Sequence, residues 1–395
     1  MAIPFLANKK QEQALTLLID VGSSSVGAAL VKMGKGSVPQ VLASVREDIS
    51  FQEVLSSSRF LFAMNRSLDT ALKNIQSKGL VRGKLSNVFC TLSSPWFILK
   101  TRNMQISRLQ EFEVNEHTLE EFIDEDVTLL KEELKQTLPP RDVRVIEKKI
   151  IQMKLNGYEI KNPYKQRTTR MEMSTTVCIS SNKVIQGIER KIHKYFHIAP
   201  IHFGAFPVAA FSVVRDMFPV DKNFLFLDIT GESTDISRIE NDILTGTLSF
   251  PYGRNFIIRE ISMRMRTVHE EAASLFAMFL RNELDDARRA PISEIIEWAK
   301  KEWLIRFEKT VAALSAGGTT PNKIYFTIDS DIEPLFSSTI RSAKSELLVN
   351  GGFDVQYLDQ LIVSKFVVSD PGITRDPFIV TEVLFAQKMT EQFEK

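Results

Sequence analysis

The sequence predicts an α/β protein made of two duplicated halves around a cleft, with a small α+β subdomain inserted into the first half. Three observations lead to this prediction. An apolar strand that ends in an aspartate before a small polar turn occurs twice, at Asp20 and at Asp228. Strand patterns alternate with amphipathic helices along the chain. A length of 395 residues exceeds the usual size of a single hydrophobic core.

The first copy of this motif occupies the beginning of the chain. The apolar run Leu15–Ile19 predicts a buried strand that ends at Asp20. A tight turn, Gly22–Ser25, connects it to strands predicted over Val26–Val31 and Val38–Val45. Small side chains and free backbone N–H groups at such a turn suit a phosphate, and the aspartate can hold Mg²⁺ directly or through water.

The second copy follows the same plan. The strand Phe224–Leu227 ends at Asp228, the polar turn Thr230–Thr234 follows, and a later strand is predicted over Ile243–Phe250. Two such hairpins that face each other would hold a polyphosphate and one metal ion. The repeat therefore predicts that Asp20 and Asp228 face each other across a deep cleft.

The motifs DVGSSS at Asp20 and DITGESTD at Asp228 resemble the phosphate-1 and phosphate-2 hairpins of the actin-like (ribonuclease H-like) ATPase superfamily. Within it, the layout is similar to the cell-division protein FtsA and the type IV pilus protein PilM. The resemblance implies ATP and Mg²⁺ as cofactors, with at most weak ATPase activity. Asp20 and Asp228 would hold Mg²⁺ through water, and no catalytic residue is identified. The implied nucleotide-binding residues are Asp20, Gly22, Ser23, Ser24, Ser25, Asp228, Gly231, Glu232, Ser233, Thr234 and Asp235.

The same resemblance divides the chain into five segments. It implies that the inserted SHS2-type subdomain contacts other proteins. The segments are residues 1–84 (first half), 85–180 (insertion), 181–220 (return to the first half), 221–370 (second half) and 371–395 (closing helix on the first half).

Hydrophobic periodicity predicts the remaining elements. An Asn156-Gly157 hairpin signal joins the last two strands of the insertion, and Pro139-Pro140 ends its helix. Strands are predicted over Asn87–Leu92, Trp96–Ile106, Arg144–Leu155, Met171–Ser180 and Ile324–Ile328. Helices are predicted over Ser56–Ser77, Asn115–Leu138, Lys183–Phe196, Ala205–Asp216, Phe256–Met265, His269–Asn282, Pro291–Leu314 and Phe378–Phe393.

One turn departs from the family pattern. The strand Ile324–Ile328 leads to Asp329-Ser330-Asp331, where the family has a Gly-Gly turn under the adenosine. A side chain at this turn obstructs the base, and carboxylates repel the phosphates. The departure counts against tight nucleotide binding and leaves a retained fold with a weak or absent site as an open alternative.

Composition excludes several classes of protein. A net charge of +1 gives no sign of nucleic-acid binding. No apolar run of about 18 residues occurs, so direct membrane insertion is not predicted. Cys90 and Cys178 lie in strand-like runs and are predicted to be core thiols. The spacing of the histidines does not indicate a zinc site.

Three classes of function remain open. The first is a cytoplasmic FtsA/PilM-type scaffold, peripheral at the inner face of the membrane, with self-assembly into filaments as a further interaction. The chain ends soon after the closing helix, without a basic amphipathic helix, so we expect it to bind the cytoplasmic tail of an inner-membrane protein. The expected docking site is the groove between residues 85–180 and the first hairpin domain. The others are a phosphohydrolase resembling exopolyphosphatase/guanosine pentaphosphatase, and a nucleotide-free structural relative. The sequence leaves pilus and division roles open.

Overall fold

The computed structural model contains two large sheets and one smaller sheet among its described residues. The predicted helix end at Pro139-Pro140 lies outside the described residues. In the parts described, no helix combines the length and apolarity that crossing a membrane would need. The structure describes residues 14–81, 83–133, 142–160, 162–197, 200–315, 318–343, 351–359, 364–373 and 376–393.

The first sheet begins with an antiparallel meander that carries the first polar turn. Strand β1 pairs antiparallel with β2 and parallel with β4, which places Asp20 opposite Gly27 and beside Thr91. Its residues are buried because helices cover both faces of the sheet. The elements of this segment are β1 (Ala14–Val21), β2 (Ser25–Met33), β3 (Gln40–Asp48), α1 (Ser57–Ser77) and β4 (Asn87–Leu92).

The insertion is a separate antiparallel sheet with one helix packed on its face. Leu119 and Phe122 of the helix pack in one hydrophobic cluster with Met171 and Met173. The elements are β5 (Ile98–Glu113), α2 (Glu116–Glu133), β6 (Val143–Leu155), β7 (Tyr158–Glu159) and β8 (Arg167–Ser181), with strand order β5-β8-β6-β7. Strand β4 lies in the first sheet although it falls within the range 85–180, so the inserted sheet itself starts at β5.

The chain then returns to the first half and builds the second. The second sheet has the order β12-β11-β10-β13-β14, and the buried Trp303, Phe307 and Phe336 pack beside it. The elements are α3 (Asn182–Tyr195), β9 (Ile201–Ala205), α4 (Phe206–Met217), β10 (Phe224–Ile229), β11 (Thr234–Glu240), β12 (Ile243–Phe250), α5 (Arg254–Met265), α6 (His269–Leu280), α7 (Asp286–Leu314), β13 (Lys323–Thr327), α8 (Glu333–Arg341) and β14 (Asp354–Tyr357).

The last elements complete the first half. A short 3₁₀ helix, Ser364–Phe366, precedes β15 (Val368–Ser369) and α9 (Pro377–Phe393). Strand β15 pairs with β3, and α9 packs on β1, β2 and α4. The first sheet therefore has the order β15-β3-β2-β1-β4-β9. Both cysteines are buried with free thiols, which confirms their prediction as core residues.

The predicted and observed elements differ at a few places. Strand β9 was not predicted because His202 and Gly204 interrupt its apolar pattern. Helix α8 was not predicted either. Its Pro334 lies in the first turn, where the missing N–H has no helical partner to lose, so the proline is compatible with the helix. Helix α7 begins at Asp286 rather than at Pro291, with Asp285 as its N-cap. Pro291 lies inside this helix and does not begin it.

Candidate functional site

The two aspartate turns occupy equivalent positions in the two large sheets. We call residues 20–25 the first hairpin and residues 228–235 the second hairpin. In the first, β1 lies between an antiparallel β2 and a parallel β4. In the second, β10 lies between an antiparallel β11 and a parallel β13. Each aspartate therefore ends a strand that has one antiparallel and one parallel neighbour.

The structure brings the two hairpins into direct contact. The hydroxyl groups of Ser23 and Thr230 lie 2.6 Å apart, and the Glu232 N–H donates to Ser23 Oγ at 2.9 Å. A Cβ added to Gly231 would lie only 2.4 Å from the Cβ of Ser24. The predicted site residues of the two hairpins thus meet, and Ser23, Thr230 and Gly231 lie in the contact between them.

Asp20 is buried and bound by an arginine that the sequence analysis did not identify. Arg46 of β3 contacts Asp20 Oδ2 at 2.7 Å and Asp376 Oδ2 at 2.5 Å. It also donates to Ser25 Oγ at 2.8 Å. Burial raises the pKa of Asp20 and Arg46 opposes this, while Asp376 and Asp20 raise the pKa of Arg46. Arg46 therefore keeps its charge and acts as the counter-ion of two carboxylates.

Asp228 has a different environment. Its oxygens accept hydrogen bonds from Ser93 Oγ at 3.0 Å and from Thr327 Oγ1 at 2.9 Å. Burial, helped by the Asp235 carboxylate, raises the pKa of Asp228 well above its usual range. Burial also raises the pKa of Asp235, whose Oδ2 accepts a 3.3 Å bond from the Ser94 N–H. The second hairpin therefore favours a neutral carboxyl at Asp228.

The other predicted residues are engaged within the protein. Glu232 is 4% exposed and accepts bonds of 2.7 Å from Asn255 and Arg259. Ser233 donates to the Ser94 carbonyl at 3.1 Å. The remaining contacts are Gly22 N–H to Ser25 O (3.0 Å), Trp96 Nε1 to Gly22 O (2.7 Å) and Thr234 Oγ1 to Tyr252 O (2.7 Å).

A cleft of about 1460 Å³ opens beside the hairpins. Ser24, Ser25 and Arg46 line it, but neither Asp20 nor Asp228 belongs to its lining among the described residues. Asp20 is 2% exposed and Asp228 is 0% exposed. The two aspartates lie near each other, since Asp20 contributes to the raised pKa of Asp228, but both are buried and neither lines the cleft among the described residues. That they face each other across a bound nucleotide stays a prediction.

The structural likeness to known proteins covers more of the chain than the sequence likeness does. No family model matches the sequence. It is 27% identical over 173 residues to the cell division protein FtsA of Bacillus subtilis, an alignment that spans 43% of this chain and only 39% of that relative. It aligns with a solved chain of a PilM-PilN type IV pilus biogenesis complex with a TM-score of 0.64 and 15% identity, over 94% of this chain and 98% of that one.

This chain has the actin-like fold that its sequence predicts. MreB 5 of Spiroplasma citri, solved with AMPPNP, aligns less well, with a TM-score of 0.42 and 11% identity over 96% of this chain and 98% of that one. The alignment with the PilM-PilN chain confirms the predicted fold class. Its repeated halves and its insertion correspond to the sheets described above.

The side of the cleft on which Asp329 and Asp331 lie carries a second arginine. Arg254 of α5 contacts Asp331 Oδ2 at 2.8 Å and Asp329 Oδ2 at 3.3 Å. Burial raises the pKa of Asp329, and the Arg254 charge opposes this. The sequence departure at Asp329 thus has an arginine partner, which the sequence analysis did not identify because the two residues are 75 positions apart.

The residues present do not fit Mg²⁺ and a nucleotide in the way that the actin-like resemblance implies. A metal held by Asp20 would compete with Arg46 for Oδ2. Asp20 Oδ1 has no hydrogen-bond partner among the described residues, but it is buried away from the cleft. Among those residues, no group of three or more His, Cys, Asp or Glu side chains could hold a metal ion.

A second concave site lies between the insertion and the first sheet. We call it the edge groove: a cavity of about 300 Å³ between β6 and β9, closed below by β4 and α9. Strand β9 is the edge of the first sheet. Strand β6 pairs with β8 on one side, and in the described part of the chain only its last two residues pair with β7 on the other. The apolar residues lining the groove are Phe89, Val145, Ile146, Ile201, Phe203, Phe385 and Met389.

Glu147 is an acidic residue in this apolar groove. Its Oε2 accepts a 3.3 Å hydrogen bond from the Ala205 N–H and therefore joins β6 to β9. Burial raises the pKa of Glu147 to about 7, against smaller opposing effects of that bond and of Lys149. Gly204 leaves space beside it, because an added Cβ would lie 3.5 Å from Glu147 Oε2.

Proposed function

We propose that this chain is a scaffold of the FtsA/PilM type that binds the cytoplasmic tail of an inner-membrane protein in the edge groove. It would then lie at the cytoplasmic face of the membrane through that partner. The same fold in a PilM-PilN complex, aligned over nearly the whole chain, is the comparison that supports this proposal. The role in pilus assembly or in division, and self-assembly into filaments, are further expectations of the same resemblance.

The shape of the edge groove is the observation that carries the proposal. Strands β6 and β9 both present open edges to it, and an extended peptide can add to such an edge by backbone hydrogen bonds. Its apolar walls would accept alternate side chains of that peptide. Arg144 and Lys148 lie at the rim of the groove and Glu147 lies inside it, so these side chains would bind polar and charged groups of the tail.

A phosphohydrolase is less well supported by this geometry. Phosphoryl transfer requires free donors and a cation arranged around the reacting phosphate. Ser23 and Thr230 are instead bonded to each other, and Asp20 is bonded to Arg46. A phosphate-release assay with polyphosphate and with ATP would test this, and sustained release by the purified chain would favour the enzyme.

The edge groove can be blocked without disturbing the hairpins. Gly204→Leu places a side chain beside Glu147, where no backbone atom lies within 4 Å of an added Cβ. We expect the wild type to recover a membrane protein from detergent-solubilised membranes, and a synthetic peptide of its cytoplasmic tail to bind wild type directly. Gly204→Leu should weaken peptide binding by at least about tenfold, which corresponds to about 1.4 kcal/mol.

The matched control is Gly83→Leu, because an added Cβ there meets nothing within 4 Å. Circular dichroism of both variants checks that they fold. Equal affinity of the tail peptide for wild type and Gly204→Leu would show that the edge groove is not the docking site.

A further inference from the structure

The two halves of the protein are joined by a polar contact. We call it the seam: Ser23, Ser93 and Ser94 of the first half, bonded to residues of the second half. Ser23 bonds to Thr230 and Glu232, and Ser93 bonds to Asp228. Ser94 completes the seam through the Ser233 hydroxyl at 3.1 Å, the Ser249 hydroxyl at 3.1 Å and the Asp235 carboxyl at 3.3 Å.

Several backbone N–H groups that a phosphate would need at the hairpins are already bonded within the protein. A phosphate held between two hairpins is bound by free backbone N–H groups and hydroxyls. In this chain the N–H of Gly22 bonds to Ser25 O, that of Thr230 bonds to Ser233 O, and that of Glu232 bonds to Ser23 Oγ. A phosphate that used these three donors would have to break these bonds, and the bond of Glu232 belongs to the seam.

Two arginines already supply positive charge beside the hairpins. A metal ion normally neutralises the carboxylate and the phosphates at such a site. Here Arg46 supplies a fixed positive charge to Asp20 and Asp376, and it has room because Gly27 has no side chain. A Cβ at Gly27 would lie 2.9 Å from Arg46 Nη2. On the side of the cleft on which Asp329 lies, Arg254 supplies a second fixed charge to Asp329 and Asp331.

We propose that the seam and these two arginines replace a metal-nucleotide complex, so that the two halves stay closed without Mg·ATP. Arg46 supplies the positive charge beside Asp20 that a metal ion would supply. The hydroxyl groups of the seam join the two hairpins, as bound phosphates would. Neither the closure of the cleft nor the shape of the edge groove would then depend on nucleotide. This inference is independent of partner docking, because the hairpins and the edge groove share no residue.

Thermal unfolding of the full chain tests the proposal directly. A ligand at 100 times its dissociation constant stabilises a protein enough to raise the Tm by several degrees. We expect 5 mM Mg·ATP and 5 mM EDTA each to change the wild-type Tm by less than about 1 °C, within the error of such scans. A saturable, concentration-dependent rise of about 2 °C or more with Mg·ATP would overturn the proposal.

Two variants test the role of Arg46. Arg46→Ala leaves Asp20 buried without its counter-ion and should lower the Tm by several degrees. Adding Asp20→Asn to the same chain should recover most of that loss, because it removes the unpaired charge. The control, Arg66→Ala, removes an exposed arginine bonded to Ser50 and should change the Tm little. If the double variant were no more stable than Arg46→Ala, Arg46 would not be acting as the counter-ion.

Discussion

The two hairpins share one backbone plan but differ in charge. In the first, the buried Asp20 is paired with Arg46. In the second, the donors to the buried Asp228 among the described residues are the hydroxyl groups of Ser93 and Thr327, and its raised pKa favours the neutral acid. A repeated strand-turn-strand motif therefore does not imply a repeated function. What decides its chemistry is the residue that the neighbouring strands place against the aspartate.

The largest expected effect is a loss of stability from steric clash, and it should be larger in the second hairpin than in the first. Gly231→Ala would place a Cβ 2.4 Å from Ser24 Cβ and force the seam apart, whereas the Cβ of Gly22→Ala would lie 3.2 Å from Ser25 O. We expect Gly231→Ala to cost about 3 kcal/mol of unfolding free energy and Gly22→Ala less than about 1 kcal/mol. Urea denaturation measures both.

A second substitution that removes the clash tests the same contact. Adding Ser24→Gly to Gly231→Ala removes the clashing Cβ and should restore part of the stability. Equal costs for Gly22→Ala and Gly231→Ala would show that the two hairpins are not packed against each other as described.

The next effect separates the hairpins by charge. Asp20→Asn weakens a charge-assisted bond to Arg46 and should cost about 2 kcal/mol. Asp228→Asn replaces a neutral carboxyl by a group of similar size and should cost less than about 1 kcal/mol. Denaturation at pH 7 compares the two variants, and the reverse order would contradict the assignment of charge.

The smallest effect extends the comparison to the acid in the edge groove. Burial raises the pKa of Glu147 from 4.5 in the unfolded chain to about 7 in the fold. The folded state therefore binds the Glu147 proton more tightly than the unfolded chain does. The contribution of this proton to the free energy of unfolding is complete below pH 4.5 and is lost as the pH rises through 7. After allowance for partial exposure, the loss is about 2 kcal/mol.

Glu147→Gln should remove this part of the pH dependence and leave the variant more stable than wild type at pH 8. Glu172→Gln, on the neighbouring strand β8, is the matched control and should keep the wild-type profile. Parallel stability curves for wild type and Glu147→Gln between pH 5 and pH 8 would contradict the raised pKa.

The sequence predicted the hairpins well because their signal is local. A buried apolar run, an aspartate and a small polar turn are contiguous at Asp20 and again at Asp228. The departure at Asp329 was visible for the same reason. The seam and the two arginines were not predicted, because Arg46 reaches Asp20 only through the register that places it opposite Gly27 on β2. The edge groove depends on β9, a five-residue strand whose pattern is too short to read.

The pairing of Arg46 with Asp376 also constrains how the protein is made. These residues are 330 positions apart, as are Gln40 and Asp370, which share a 2.6 Å hydrogen bond. At the usual speed of translation, roughly 5–20 residues per second, the outer edge of β3 waits on the order of 20 to 60 s for its partner strand. During synthesis, that uncovered edge is open to wrong pairing, and a chaperone that covered it would protect the nascent chain.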